Sequence, residues 1–249
     1  MELILVKRMG DMRYPHTNYK TSKYCVVYLD VLGSKDIIYN DENNEHLNKL
    51  NMIFEDAIEE VFISKKFKNK DFFVKIFSDN IILATKTDTK DRAENIKLLC
   101  LVISNIIEEF LTYGYLMRGA MVEGEFFCND TLVYGKALID VVELEEKYAI
   151  YPRIIVQEGI KEVFPYYFQK CADGWDILNN YFVNDHGFSG CNFKVSLLDL
   201  LKKNKNNKKA VQKIMWAITY FNEYNKWKKE NKRISYYFIS SEEISKALE

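Results

Sequence analysis

The chain has 249 residues, 48% of them hydrophobic, which is enough for one sizeable core. Its 35 basic and 36 acidic residues leave a formal net charge of -1, and that excludes a surface built throughout to attract nucleic acid. Five scattered cysteines (Cys25, Cys100, Cys128, Cys171 and Cys191) form no CxxC pair, so reduced thiols are expected rather than a zinc knuckle or a dithiol redox motif.

In chain order, residues 1–22 are polar, contain Pro15 and read as an N-terminal arm or a short edge strand. The apolar run before Lys7 and Arg8 is too short for a signal peptide, and no stretch approaches the roughly 18 apolar residues of a membrane span. A cytoplasmic protein is therefore expected. Residues 24–30 form a β-rich apolar run that ends on Asp30, and Val31-Leu32-Gly33 turns the chain. Leu50, Ile53, Phe54, Ala57, Ile58 and Val61 recur at helical spacing. Residues 72–77 and 81–84 read as two strands joined at Ser78-Asp79-Asn80, a hairpin. Residues 91–113 predict an amphipathic helix ended by Gly114. Residues 116–127 predict a strand, 135–148 a third helix and 151–156 another strand. This β, α, ββ, α, β, α, β order predicts an α+β sandwich with a mostly antiparallel sheet and helices on one face.

Residues 157–249 are less legible. Asp173-Gly174 reads as a turn and Tyr181-Phe182-Val183 as a short strand, while the lysine- and asparagine-rich run 202–209 reads as a solvated loop. Residues 210–229 predict a helix whose Met and aromatic residues belong to a core or a dimer contact. With no internal repeat and no linker, the expected organisation is an arm (1–22), a main domain (23–200) and a helical C-terminal extension (201–249) packed on it. His16, His46 and His186 lie outside the motifs.

Asp30 ends one apolar strand and Asp79 sits at the tip of an apolar hairpin. Carboxylates presented at adjacent strand ends suit two hard divalent cations, Mg²⁺ or Mn²⁺, which complete their shells with substrate phosphates. Turn formation alone would also favour Asp at either position, and composition does not choose between the two roles.

Four collinear segments resemble the class III nucleotidyl cyclases. Tyr28-Leu29-Asp30-Val31-Leu32-Gly33 is similar to the family's first metal motif, and Lys75-Ile76-Phe77-Ser78-Asp79 to its hairpin motif. Met117-Arg118-Gly119 with Gly124 is similar to the Arg-Gly strand, and Tyr134-Gly135 to the start of the helix that follows. The forms FSDN, RGA, YGKAL and YPRI most resemble the pyrimidine cyclases of the bacterial anti-phage Pycsar system. The resemblance implies a ferredoxin-like, palm-type sandwich that converts UTP or CTP to cyclic UMP or cyclic CMP with two divalent cations. It implies a homodimer with sites at the subunit interface, and a separate effector that reads the product. Asp30, Asp79 and the backbone of Val31 would be the metal ligands. Tyr28, Gly33, Lys75 and Gly135 would bind substrate.

The helix departs from the family pattern. Where ordinary members carry Asn and Arg, this chain has Ile139 and Glu143, and Glu143 supplies no positive charge. Arg118 and Arg153 are the candidate replacements. Lys75 matches the lysine that reads adenine, but its acidic partner position falls near Leu132, which removes an acceptor for adenine's amino group. An adenylate or guanylate cyclase of the same fold and an inactive cyclase-like sensor or scaffold are the other open readings.

Overall fold

A computed structural model describes residues 18–63, 72–183, 190–233 and 237–249. Residues 1–17 of the expected arm, His16, His186 and the side chains of Ala57, Ile58, Val61 and Cys191 lie outside this description.

The strand β1 (Ser22–Val31) lies in the middle of the sheet, where its alternation supplies two cores. The helices α1 (Ser34–Tyr39) and α2 (Glu45–Ile63) follow, and then the hairpin of β2 (Phe72–Phe77) and β3 (Asn80–Lys86). The hairpin closes Phe77 on Asn80 with a two-residue turn in which Ser78 takes a φ of 56°. A positive φ at this place matches the turn to the right-handed twist of the strands. The long helix α3 (Arg92–Thr112) leads to β4 (Met117–Cys128), with β5 (Val133–Tyr134) paired back on its end. Then come α4 (Lys136–Tyr148), β6 (Ile154–Val156), β7 (Phe168–Lys170) and β8 (Asp176–Leu178). The chain ends in α5 (Asn180–Val183), α6 (Gly190–Lys203), α7 (Lys208–Glu230) and α8 (Ser241–Leu248).

The sheet runs β2-β3-β1-β4-β6-β8-β7, and every pairing is antiparallel except β4 with β6. The expected α+β class and mostly antiparallel sheet therefore hold. The helices, expected on one face, occupy both. Cys25, Val27 and Leu29 of β1 point to one face and share a core with Ile53 of α2 and with Leu99, Ile103 and Phe110 of α3. Val26 points to the other face, where Ala120 and Val122 of β4 pack on Ala137 and Val141 of α4. The period of two along a strand sends successive side chains to opposite faces, so a central strand with few polar positions needs cover on both sides.

A third core joins α6, α7 and α8 to Leu111 of α3 and Ile177 of β8. The limit expected at residue 200 falls inside α6, and the helices that follow the sheet begin with α5 at Asn180. Three other expectations are corrected. Residues 181–183 form a helix, not a strand. Tyr181 there packs in an aromatic cluster with Phe193, Tyr220, Phe221 and Tyr224, and the Val183 N–H bonds the Asn179 carbonyl at 3.1 Å. The strand expected over 151–156 keeps only its last three residues, because Pro152 has no N–H to donate and the Arg153 N–H turns back to the Tyr151 carbonyl at 2.8 Å. The lysine-rich run 202–209 is partly helical, ending α6 and beginning α7, where Asn207 caps the helix by accepting from the Ala210 N–H at 3.2 Å. Among the described residues no helix is long and apolar enough to cross a membrane.

Gly135 stands just before α4 with a φ of 144°. A Cβ there would lie 2.3 Å from the Glu125 carbonyl oxygen and 2.7 Å from the Phe126 Cα, both backbone atoms of β4. This contact explains the glycine without any ligand. Gly135→Ala should therefore cost about 3 kcal/mol or more, read as a lowered urea midpoint with an unchanged m-value.

Candidate active site

Alternation along β1 puts Asp30 on the same face as Val26, the face covered by α4. In register, Asp30 lies opposite Asn80 on β3 and opposite Arg118 on β4. Asn80 follows Asp79, so the centre of the sheet brings the two expected carboxylates to neighbouring places. Backbone bonds tie them further: the Val31 N–H donates to the Asp79 carbonyl at 3.3 Å, and the Leu32 N–H donates to Leu116 at 2.8 Å. Gly33 then takes a φ of 81° and starts α1, which seats Ser34 so that its hydroxyl donates to Asp79 Oδ2. Asn80 Nδ2 approaches Asp79 Oδ1 at 3.3 Å, and the Tyr28 hydroxyl donates to Asn80 Oδ1 at 2.5 Å. Tyr28, Asp30, Asp79 and Asn80 thus form one polar group at the strand ends.

Arg118 occupies the other side of Asp30. Its Nε lies 2.8 Å from Asp30 Oδ2 and 2.7 Å from Glu145 Oε1 of α4, and its Nη1 reaches the Ala149 carbonyl at 3.4 Å. One guanidinium therefore faces two carboxylates and the negative end of a helix. Burial raises the Asp30 carboxyl above its ordinary range; the hydrogen bond from Arg118 opposes this, and the charge of Asp79 adds to it. Glu145 is 2% exposed, and burial pushes it up to about 7. Arg118 opposes that shift and Asp30 adds to it.

The pH dependence follows from this shift. Between about pH 4.5 and 7 the folded chain keeps the Glu145 proton that the unfolded chain has lost, so stability falls as pH rises through that window. Glu145→Gln removes the effect. In chelator-treated protein, the stability of the variant relative to the parent should improve by about 3 kcal/mol from pH 4 to pH 8, measured by urea unfolding at several pH values.

The pair Asp30 and Asp79 fits a hard divalent cation. Both donors are carboxylate oxygens, and the burial and mutual repulsion that raise Asp30 are what a cation between them would relieve. Among the described residues no group of three His, Cys, Asp or Glu gathers as a complete metal site. A metal held here would take its remaining ligands from phosphates and water, as Mg²⁺ does.

No protein-family model matches the sequence, and no curated protein sequence does. Solved structures do match in three dimensions. The guanylyl cyclase domain of the RhoGC fusion protein from the aquatic fungus Blastocladiella emersonii superposes with a TM-score of 0.50, covering 65% of this chain and 96% of that one at 14% identity. The protein has the fold of a nucleotide cyclase domain. The adenylyl cyclase CyaB from P. aeruginosa also matches, at 12% identity and a TM-score of 0.44, covering 64% of this chain and 95% of that one.

Within this cyclase fold the other candidate residues separate. Lys75 on β2 donates from Nζ to the Asp130 carbonyl at 2.5 Å, which places it beside the turn that carries Leu132. Arg153 is engaged elsewhere. Its Nη2 donates to the Tyr148 carbonyl at 2.9 Å and to Asp173 Oδ2 at 2.5 Å, its side chain is 4% exposed, and it lines a separate 460 Å³ cavity with Tyr151 and Trp216. Ile139 and Glu143 are exposed on α4, and Glu143 pairs with Lys147 at 2.7 Å.

Sequence reasoning missed Glu145, Ser34 and Lys213. Glu145 left a faint signal, as the acidic residue four places after Val141 on the buried face of an otherwise exposed acidic helix. Lys213 left none. Its charge acts on Asp30 and Glu145 only because α7 packs back toward β1.

Proposed function

We propose that this protein is a nucleotidyl cyclase that converts UTP or CTP to the 3′,5′-cyclic monophosphate and pyrophosphate. The observation that carries this reading is the convergence of Asp30 and Asp79 at the end of β1 and the tip of the β2–β3 hairpin, within a cyclase fold. In the reaction the ribose 3′ oxygen bonds to the α-phosphorus and the bond from that phosphorus to its bridging oxygen breaks. Pyrophosphate leaves with the electron pair, and the hydroxyl proton passes to solvent. Asp30 and Asp79 would hold Mg²⁺ or Mn²⁺, which when bound acidifies the attacking hydroxyl and neutralises phosphate charge. The chain's own part is to fix those carboxylates: Arg118 orients Asp30, and Ser34 orients Asp79.

The pyrimidine preference is supported at the place where Lys75 meets the 130–132 turn. Leu132 is exposed there and offers no acceptor to an adenine amino group. A second copy of the chain is the proposed partner. Phe77, Leu132, Tyr134 and Ile139 are exposed apolar residues along the hairpin, the β4–β5 connection and α4, the flank that carries the site. The product would act as a signal read by a separate effector in anti-phage defence, a reading supported by the sequence motifs alone. Incubation of the purified protein with each nucleoside triphosphate and Mn²⁺, followed by mass spectrometry, should yield cyclic UMP or cyclic CMP. Product from ATP or GTP alone would overturn the pyrimidine reading.

A further inference from the structure

A cavity of about 530 Å³ opens where the β1–α1 turn meets the α6–α7 turn. Leu32 and Gly33, the residues just beyond Asp30 and Val31, form part of its wall. Four lysines from three helices line it: Lys49 of α2, Lys203 of α6, and Lys209 and Lys213 of α7. One carboxylate, Asp36, lines it as well. Among the described residues none of the four lysines forms an ion pair. Lys49 donates to the Tyr113 carbonyl at 2.7 Å, and Lys213 makes no hydrogen bond with any described residue.

Ammonium groups that share a cavity repel one another, and an anion placed among them relieves that. Burial lowers the Lys49 amine, and the charge of Lys203 lowers it further; burial lowers the Lys213 amine and Arg118 adds to that, while Asp30 and Glu145 oppose it. Lys213 also connects the cavity to the carboxylates, because its charge acts on both Asp30 and Glu145. The volume falls in the range of small-ligand sites, about 300–1,000 Å³. An ammonium is a compact point charge suited to phosphate oxygens.

We propose that this cavity binds a polyphosphate group, and that Lys213 is the cation that works beside Asp30 in place of the one missing from α4. The inference takes the class of its ligand from the proposed function, as the triphosphate tail of a nucleotide or the pyrophosphate released from it. It assigns positive charge to a helix that follows the sheet, where Ile139 and Glu143 supply none.

The test is calorimetric titration of the whole protein with inorganic pyrophosphate, paired with steady-state cyclisation of nucleoside triphosphates in Mn²⁺. Lys213→Ala and Lys213→Met should each weaken pyrophosphate binding about tenfold or more. Lys213→Arg should retain most of it. Lys202→Ala, exposed and outside the cavity, should match the parent. Competition between UTP and pyrophosphate for the parent protein tells the nucleotide tail from the free leaving group. If the parent cyclises nucleotides while neither Lys213 variant alters pyrophosphate binding or kcat/KM, the cavity assignment is overturned and the activity stands. If the parent cyclises nothing but pyrophosphate binding still falls in both variants, the assignment stands and the proposed activity is overturned.

Discussion

Replacing Asp79 with alanine is expected to cut cyclisation by about a thousandfold or more, since losing a metal carboxylate removes several kcal/mol of charge stabilisation. The chain should stay folded. Asp79 sits in a two-residue turn and its side chain is only half buried, so its removal leaves no large cavity. Its side-chain partners are the buried Ser34 and the half-buried Asn80, so alanine leaves the Ser34 hydroxyl without this acceptor while asparagine keeps one. Asp79→Asn is the sharper variant. An amide oxygen still accepts from Ser34 but carries no charge, so turnover should fall nearly as far while the thermal midpoint barely moves. Mn²⁺ titration should show weakened metal binding in both variants. Full activity in Asp79→Asn would refute the role assigned to the carboxylate pair.

Arg118→Met should cost about 3 kcal/mol of stability near pH 8, because it strands two carboxylates, one of them almost fully buried. For a chain of this size that is a fall of roughly 6–12 °C in thermal midpoint. Met keeps much of the aliphatic volume, so the loss reports charge more than packing. The deficit should shrink at pH 5. Glu145, already raised to about 7 with Arg118 present, rises further without it and is neutral there in the folded chain. An equal deficit at both pH values would mean that Arg118 acts mainly as a packing residue. The measurement is urea unfolding in chelator at the two pH values.

What could be read from the sequence was what depends on local pattern. The apolar runs of β1, β3 and β4 announced their strands, and with them the neighbouring positions of Asp30 at a strand end and Asp79 at a hairpin tip. The roles of Arg118 and Arg153 depend on contacts that periodicity does not carry. Both guanidiniums reach carbonyls at the C-terminal end of α4, and both find acidic partners that fold back from elsewhere in the chain. Tyr181 illustrates a second limit. A Tyr-Phe-Val triplet favours a strand by propensity, yet Tyr181 packs against the tilted ring of Tyr220, the stacked ring of Tyr224 and the edge of Phe221 as part of a helical turn. The lysines of the 530 Å³ cavity show a third. Lys203 and Lys209 belong to the run 202–209 that reads as solvated charge, and only the packing of α6 and α7 near the β1–α1 turn brings them to one space with Lys213.

The central place of β1 also bears on how the chain comes into being. Among the described strands of the sheet this one leaves the ribosome first, and its neighbours are β3 and β4: Val27 pairs with Leu83 on one side and with Met121 on the other. Neither partner exists until much more of the chain has been made. Such non-local pairing slows folding and leaves an apolar strand with two open edges during synthesis. Lys23 and Asp30, near its two ends, are the two charged side chains of this strand, and charge on an open strand edge disfavours pairing with another copy. Asp30, proposed above as a metal ligand, is thus also one of the two charges that the strand presents before its neighbours arrive.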